Sequence, residues 1–426
     1  MTVKMNENKI IKEKALIVGV NLNNDSHFEE SIKELKNLAE ACDLEPVGVI
    51  TQNLQRIHAG YYVGTGKLEE INQFIDSEEV EIVIFEDELS PSQMRNLSLQ
   101  LGVEILDRTR LILEIFNRRA KTREAKLQVE VANLKYILPR LRSSGQSFDR
   151  QRGGGVNNRG GGETKLELNR RKIEANIAEI EKELKQIASN REVRRKRRQQ
   201  SGVPIVALVG YTNAGKSTLM NAMVRKYQET EEKLVFEKDM VFATLDTSVR
   251  DIKFENGKRI LLSDTVGFIN KLPHHLVRAF HSTLEEVLEA DLILHVVDCS
   301  NPHFEKHIEV TNSVLKSMGG DEITQLIVYN KIDQADESFL GDNQEGIKLS
   351  AKKNIGFEKL EKRIEDQILD DFQTYQLMIP HKNSNIISEL KLKGNLLTMD
   401  YVEDGLLIKV ELSEVDCLRY TNYLTV

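Results

Sequence analysis

The segment GYTNAGKS, Gly210–Ser217, constrains the fold of this chain more than any other stretch of it. It follows the apolar run PIVALV and precedes TLMNAM, so a strand must end in a glycine-rich turn that opens a helix. Glycine lets backbone N–H groups curl around a phosphate, and the helix N-terminus adds partial positive charge. Gly210, Tyr211, Thr212, Asn213, Ala214, Gly215, Lys216, Ser217 and Thr218 are therefore the expected phosphate cradle. Lys216 would bridge β- and γ-phosphates, and the Ser217 hydroxyl would ligate Mg2+. The apolar runs RILLSD, LILHVVD and LIVYNK have the composition of strands buried on both faces of a parallel sheet. Residues 201–371 thus form an α/β nucleotide-binding domain with a mostly parallel sheet.

Which nucleotide it takes is set by motifs at the ends of those runs. DTVGF places Asp264 to hold the Mg2+ shell through water and the Gly267 N–H to sense a γ-phosphate. NKID supplies Asn330, Lys331 and Asp333, and the Asp333 carboxylate can accept from the N1–H and amino group of guanine. Adenine offers no such donor pair on that edge. LSAKK adds Ser350, Ala351 and Lys352, with a backbone N–H near Ala351 for the guanine O6. In this order the motifs specify a GTPase that turns GTP and water into GDP and phosphate. The segment KDMVFATLDTSVR should donate a threonine to the Mg2+ shell; Thr244 is the choice and Thr247 the alternative. Lys216, Thr244 and Gly267 are then the groups expected at the reacting phosphate. Phe268 stands where many GTPases place a water-orienting glutamine, which implies slow intrinsic hydrolysis. Asn213 could compensate by binding K+ near the phosphates.

The rest of the 426 residues suggests three further segments. Residues 1–110 alternate strand-like and helix-like runs, as a βαβ-type α/β domain does. VGTGK inside it lacks the outer glycine and the Ser or Thr of a phosphate loop, because Tyr61 and Leu68 occupy those positions, and reads as a tight turn. Residues 111–200 carry Leu127, Val131, Leu134, Leu138 and Leu141, then Leu166, Ile173, Ile177, Ile180, Leu184 and Ile187, the pattern of an antiparallel helical hairpin. Its joining loop, 143–163, is glycine-rich. Residues 372–426 read as a small α+β domain with a hairpin around Glu403-Asp404-Gly405. The net charge of −8 argues against nucleic acid on average, yet the hairpin is basic. Arg118, Arg119 and Arg123 lie on its first helix, Arg150, Arg152 and Arg159 in its loop, and Arg194, Arg195, Arg197 and Arg198 in REVRRKRR. Three scattered cysteines, no apolar signal core and no membrane-length apolar run make the cytoplasm the expected compartment. His274 and His275 have no neighbours that would complete a metal site.

These motifs together resemble the HflX family of ribosome-associated GTPases, within the Obg-HflX-like TRAFAC group. The resemblance is carried by GYTNAGKSTLMNA, FATLD, DTVGFI, LPHHLVRAFHSTLEE and NKID, and by YYVGTGK, FEDELSPSQMRNL, ILDRTRLILEIF, AKTREAKLQVEVANLKYILPRL and GGGETKLE. Relatives commonly have proline at the position of Thr247 and GPGETQLE where this chain has GGGETKLE. The resemblance implies a monomeric factor that binds the large ribosomal subunit and splits stalled or idle ribosomes under stress. It also implies that the ten arginines named above meet rRNA near the peptidyl-transferase region, where the glycine loop is a probe. Composition alone makes that loop a flexible linker. Two other readings stay open: an rRNA-remodelling motor with a second ATP site in the N-terminal domain, and a non-catalytic anti-association or hibernation factor.

Overall fold

The computed structural model describes residues 5–6, 9–10, 12–144, 159–199, 203–227, 242, 248–255, 258–271, 286–335, 345–368, 372–383, 385–413 and 417–425, with side chains of 5–6, 9–10, 142–144, 159–166, 190–199, 372, 392–393 and 413 excluded. The chain is mixed α/β and divides into two compact units. The first comprises Met1–Gln186 with Met240–Phe242 and Asn270–Phe280; the second comprises Ile187–Asp239, Ala243–Ile269 and His281–Val426.

In the first unit a minimal hairpin, β1 (Met5–Asn6) and β2 (Lys9–Ile10), precedes a four-stranded parallel sheet. Its strands are β3 (Lys14–Leu22), β4 (Glu45–Leu54), β5 (Ile82–Phe85) and β6 (Glu104–Asp107), in the order β4-β3-β5-β6. Helices α1 (Phe28–Ala41), α2 (Thr65–Glu78) and α3 (Pro91–Leu101) make the crossovers, and α4 (Arg108–Arg119) and α5 (Arg123–Ser144) follow. Local chemistry sets the boundaries. Ser90 and Gln93 form a reciprocal capping box, Pro91 fits the first helical turn, and Gly102 closes α3 at φ 69°. The buried Asp107 caps α4 by accepting from Arg110 N, and burial holds its carboxyl above the usual range despite Arg140 at 3.4 Å. VGTGK is a turn: Gly64 caps α2, and Lys67 pairs with Glu70 at 2.6 Å.

The residues after DTVGFI also pack within this unit. Lys271 Nζ donates to Asp87 at 2.7 Å and to the fully buried Glu86. Burial works against its charge, but the two carboxylates hold its pKa above the ordinary lysine value. Arg108 donates to the Asn270 carbonyl at 3.1 Å and pairs with Glu34. Phe242 is 2% exposed and meets Phe116 edge-on at 4.6 Å between centroids.

The expected hairpin differs in two respects. Helix α5 runs to Ser144 and α6 (Arg159–Gln199) begins at Arg159, so the helices extend into the 143–163 stretch from both sides. In α5, Val131 of the expected seam is buried and Leu127, Leu134, Leu138 and Leu141 are half-buried, while Ala125, Gln128, Val129, Ala132 and Tyr136 add a second buried face. Helix α5 also packs against α3 and α4, which a heptad count cannot register. Arg123–Glu183 and Lys135–Glu181 pair α5 with α6 at 2.5 and 2.7 Å.

The second unit holds a six-stranded sheet of order β12-β11-β10-β7-β9-β8. The strands are β7 (Ile205–Val209), β8 (Ser248–Lys253), β9 (Arg259–Asp264), β10 (Leu292–Asp298), β11 (Gln325–Asn330) and β12 (Ile347–Lys348). All neighbours are parallel except β8 and β9. Continuous apolar runs make this possible: Val206, Leu208, Leu292, Leu294, Val296 and Val328 are all fully buried. Each such side chain contributes about 1.5–3 kcal/mol relative to exposure. Helices α7 (Lys216–Tyr227), α8 (Phe304–Ser317) and α9 (Phe357–Ile368) flank the sheet. The strand order reverses at β7, between β9 and β10, and ligand sites in open α/β sheets lie at the carboxyl ends of such strands. A three-stranded antiparallel sheet, β13 (Phe372–Ile379), β14 (Asn395–Val402) and β15 (Gly405–Ser413), packs with α10 (Asn385–Lys393).

Candidate nucleotide site

The chain from Gly210 to Ser217 wraps the carboxyl end of β7 under steric control. A Cβ on Gly210 would sit 2.1 Å from the Val296 carbonyl oxygen, and one on Gly215 would sit 2.3 Å from Asn330 Nδ2. Gly215 is at φ 91° and Asn213 at φ 60°, the left-handed region that Gly and Asn tolerate best. The turn is pinned to the DTVGF segment by Thr212 N donating to Phe268 O at 2.7 Å and Phe268 N donating to Gly210 O at 3.1 Å. Gly267 therefore lies against the loop: its Cβ would meet Thr212 Cα at 2.8 Å and Lys216 Nζ at 3.0 Å.

Lys216 is buried and donates to the Gly210 and Tyr211 carbonyls, each at 2.9 Å. Burial lowers its pKa to about 8, with Asp264 opposing the shift. Ser217 Oγ donates to Asp264 Oδ2 at 2.7 Å. A hydroxyl and a carboxylate oxygen so close together make an all-oxygen donor pair of the kind Mg2+ prefers. Thr265 ties the end of β9 to β7 through Oγ1 to Leu208 O at 2.7 Å.

Asn330, Asp333 and Ser350–Lys352, the residues expected to meet guanine, come together at the carboxyl end of β11. Asn330 Nδ2 donates to the Ala214 carbonyl at 2.9 Å, and its Oδ1 accepts from Ala351 N at 3.0 Å. It thus joins the phosphate turn to the Ser350–Lys352 turn, a bracing position. Ser350 Oγ donates to Asp333 Oδ1 at 2.6 Å, and this bond holds the Asp333 carboxyl below its usual range. The Asp333 carboxylate is thereby kept ionised, as an acceptor for guanine would have to be. Lys331, at φ 66°, pairs with Asp298 at 2.7 Å. Lys352 is exposed on the same turn, and Thr218 is half-buried in the first turn of α7.

Phe268 is 2% exposed and packs with Ala207, Val209, Val287 and Ile293. Its ring is a core side chain, so no group at that position reaches toward the phosphates. Asn213 is exposed at the outer edge of the turn.

Three participants were not anticipated. His295 is buried in β10 with its Nδ1 unbonded, and burial, reinforced by Lys216, lowers its pKa to about 4. Asp298 ends β10 in register with Asn330, and that alignment of strand ends was the available signal. His307 stacks on Tyr211 at 3.8 Å with the rings 7° apart, a contact between distant segments that local pattern does not carry.

Thr244, the alternative Thr247, Arg150 and Arg152 lie outside the described residues, as do His274 and His275. Arg159, Arg194, Arg195, Arg197 and Arg198 lie on α6, their side chains outside the description. Arg118 is bound to Asp43 and Glu114 at 2.7 and 3.0 Å, and Arg123 is 79% exposed beside Glu183. Arg119 ends α4.

Three family models match successive parts of the chain. They are a GTP-binding GTPase N-terminal region at residues 29–117, a GTP-binding GTPase middle region at 119–198, and a 50S ribosome-binding GTPase at 205–331. The GTPase HflX of Caldanaerobacter subterraneus subsp. tengcongensis is 42% identical over 94% of this chain and 91% of its own length. The GTPase HflX of Alkalihalophilus pseudofirmus is 42% identical over 92% and 91%. A GTP-binding protein from Sulfolobus solfataricus, solved with GDP, is 24% identical, covers 84% of this chain and 99% of its own, and has a TM-score of 0.45. Sequence identity of this extent over nine-tenths of the chain, with the match to the 50S ribosome-binding GTPase model, shows that the chain belongs to the HflX family of GTPases and hydrolyses GTP.

Proposed function

We propose that this GTPase binds the large ribosomal subunit in its GTP state and separates stalled or idle ribosomes into subunits, with stress the occasion for its use. What chiefly supports the reading is membership of the HflX family together with the match of residues 205–331 to a 50S ribosome-binding GTPase model. The basic segment REVRRKRR at the end of α6 adds a second support, since cations gathered on one element of a chain of net charge −8 suit a polyphosphate partner. In this reading the glycine-rich segment between α5 and α6 approaches rRNA phosphates and bases, with Arg150, Arg152 and Arg159 as counter-charge.

At the nucleotide, Lys216 exchanges its two carbonyl partners for β- and γ-phosphate oxygens, and the Gly267 N–H meets the γ-phosphate. Ser217, Asp264 and Thr244 would hold Mg2+, which would supply charge neutralisation at the phosphates. Asp333 selects guanine while Asn330 and Ser350 fix its surroundings. Because Phe268 is a core residue, hydrolysis needs help from elsewhere: K+ held at Asn213, ribosomal contacts, or both. Binding in the GTP state drives separation, since only contacts that differ between states shift an equilibrium; hydrolysis then releases the factor. The test is stoichiometric splitting with a non-hydrolysable GTP analogue, followed by sedimentation. Free subunits are expected. Intact ribosomes under the analogue, with splitting under GTP, would refute the binding-driven mechanism.

A further inference from the structure

Helix α8 and the chain that leads into it touch both ends of the nucleotide site. At the end expected to meet guanine, Asp298 closes β10 and pairs with Lys331 at 2.7 Å. The next residue, Cys299, donates to the Asn330 carbonyl through its backbone N at 3.1 Å and its Sγ at 2.9 Å. Phe304, which opens α8, meets Tyr329 of β11 edge-on at 5.9 Å between centroids. His307 lies three residues further along the same helix face. Its ring stacks on Tyr211 of the phosphate turn at 3.8 Å, with the planes 7° apart. In the order β11-β10-β7, Tyr329 and Tyr211 belong to strands on either side of β10, so the first turn of α8 bridges the two. Because α8 is fastened at the first end, His307 offers Tyr211 a fixed surface.

Tyr211 is the residue of the turn through which such a surface acts furthest. Its carbonyl accepts from Lys216 Nζ at 2.9 Å, and it forms a parallel bridge with Phe268. On either side of it, Thr212 N donates to Phe268 O at 2.7 Å and Phe268 N donates to Gly210 O at 3.1 Å. The placement of Tyr211 therefore decides where Lys216 and Gly267 stand relative to each other. Its side chain is buried, and two rings lying nearly parallel resist tilting of the turn that carries one of them. When Lys216 leaves the Tyr211 carbonyl for phosphate oxygens, the turn loses that tie and keeps the stack. Ground-state grip on phosphates is shared among several N–H groups, whereas rate falls steeply when reacting groups shift by about 1 Å.

We propose that His307 is a positioning residue for GTP hydrolysis: by stacking on Tyr211 it holds the phosphate turn in the register with DTVGF that the reaction requires. The proposal rests on the reading that Gly210–Ser217 holds the phosphates. It is independent of the ribosomal reading, because it concerns turnover by the protein alone.

The test is steady-state GTP turnover by the full-length protein without ribosomes, for His307→Ala, His307→Phe, Tyr211→Ala and the double variant H307A/Y211A. His307→Ala should lower kcat about fivefold or more, with KM for GTP and affinity for GDP unchanged within about twofold. His307→Phe keeps a flat ring without the imidazole nitrogens and should restore most of the rate. The double variant should be no slower than Tyr211→Ala, since the two side chains act as one unit. Lys216→Ala, measured alongside, judges the underlying reading by itself: undiminished GTP binding would remove the phosphates from this turn. A wild-type kcat in His307→Ala overturns the proposal. So does a low kcat that His307→Phe leaves unrestored, or rate losses that add in the double variant.

Discussion

Lys216 shows how one buried side chain ties chemistry to pH. Its charge is held against desolvation by two carbonyls and Asp264, and its pKa is lowered to about 8. Phosphate oxygens would raise that value again, so nucleotide binding should take up a proton above pH 8. Affinity for GDP should therefore fall as pH rises past about 8, and calorimetry in buffers of different ionisation enthalpy would detect the uptake. In the nucleotide-free protein the sign is opposite. The unfolded chain holds the proton between about 8 and the ordinary lysine value of 10.5, so stability should rise across that window. Asp333 gives a second prediction. Asp333→Asn replaces an ionised acceptor by an amide that donates toward the guanine N1–H. Two hydrogen bonds to a charged group at about 1.5–3 kcal/mol each imply at least about 100-fold weaker GTP binding. The same amide should favour a xanthine nucleotide, which carries a carbonyl where guanine has its amino group. Equal GTP binding by the variant would remove Asp333 from base selection. These residues were readable in the sequence because their spacing from strand ends is fixed by the fold. Asn330 was readable as a position but not as a brace, since Ala214 and Ala351 come from elsewhere in the chain.

At the scale of elements, β10 carries a cost of its own. His295 is buried in an otherwise apolar strand, and its pKa is lowered to about 4. As pH falls from about 6.5 to about 4 the unfolded chain takes up a proton that the folded chain refuses, so stability is lost on acidification. The loss should reach about 3 kcal/mol, and urea midpoints for the wild type and His295→Leu should differ in their pH dependence within that window and run parallel above it. Gly210 marks the join of β7 to the phosphate turn. Gly210→Ala forces a methyl to 2.1 Å from the Val296 carbonyl oxygen, a backbone atom that cannot swing aside. The loss of stability should be at least about 3 kcal/mol, visible as a lower urea midpoint and weakened nucleotide binding together. Apolar runs announced β7, β9, β10 and β11 because strands buried on both faces leave no polar alternation to misread. The helical pair was legible as two helices and its seam in part, Val131 and Ile180 being buried. In α5 the face carrying Val129, Ala132 and Tyr136 is a second buried one, chosen by α3 and α4, and a periodicity count cannot weigh neighbours that are distant in sequence. The pairs made by Asn270 and Lys271 with Arg108, Glu86 and Asp87 have the same character.

For the molecule as a whole, charge is segregated. An acidic average of −8 coexists with the six cations of REVRRKRR, which neither the nucleotide site nor the core requires. That asymmetry, together with family membership, is what the ribosomal reading stands on. Among the described residues no helix is long and apolar enough to cross a membrane. The measurement that tests the central claim most directly is the rate of GTP turnover with and without purified large ribosomal subunits. It should compare the intact chain with one shortened between Gly145 and Gly162. The account predicts strong stimulation of the intact protein and a marked loss of it on shortening. Equal turnover with and without subunits would contradict the account at its centre.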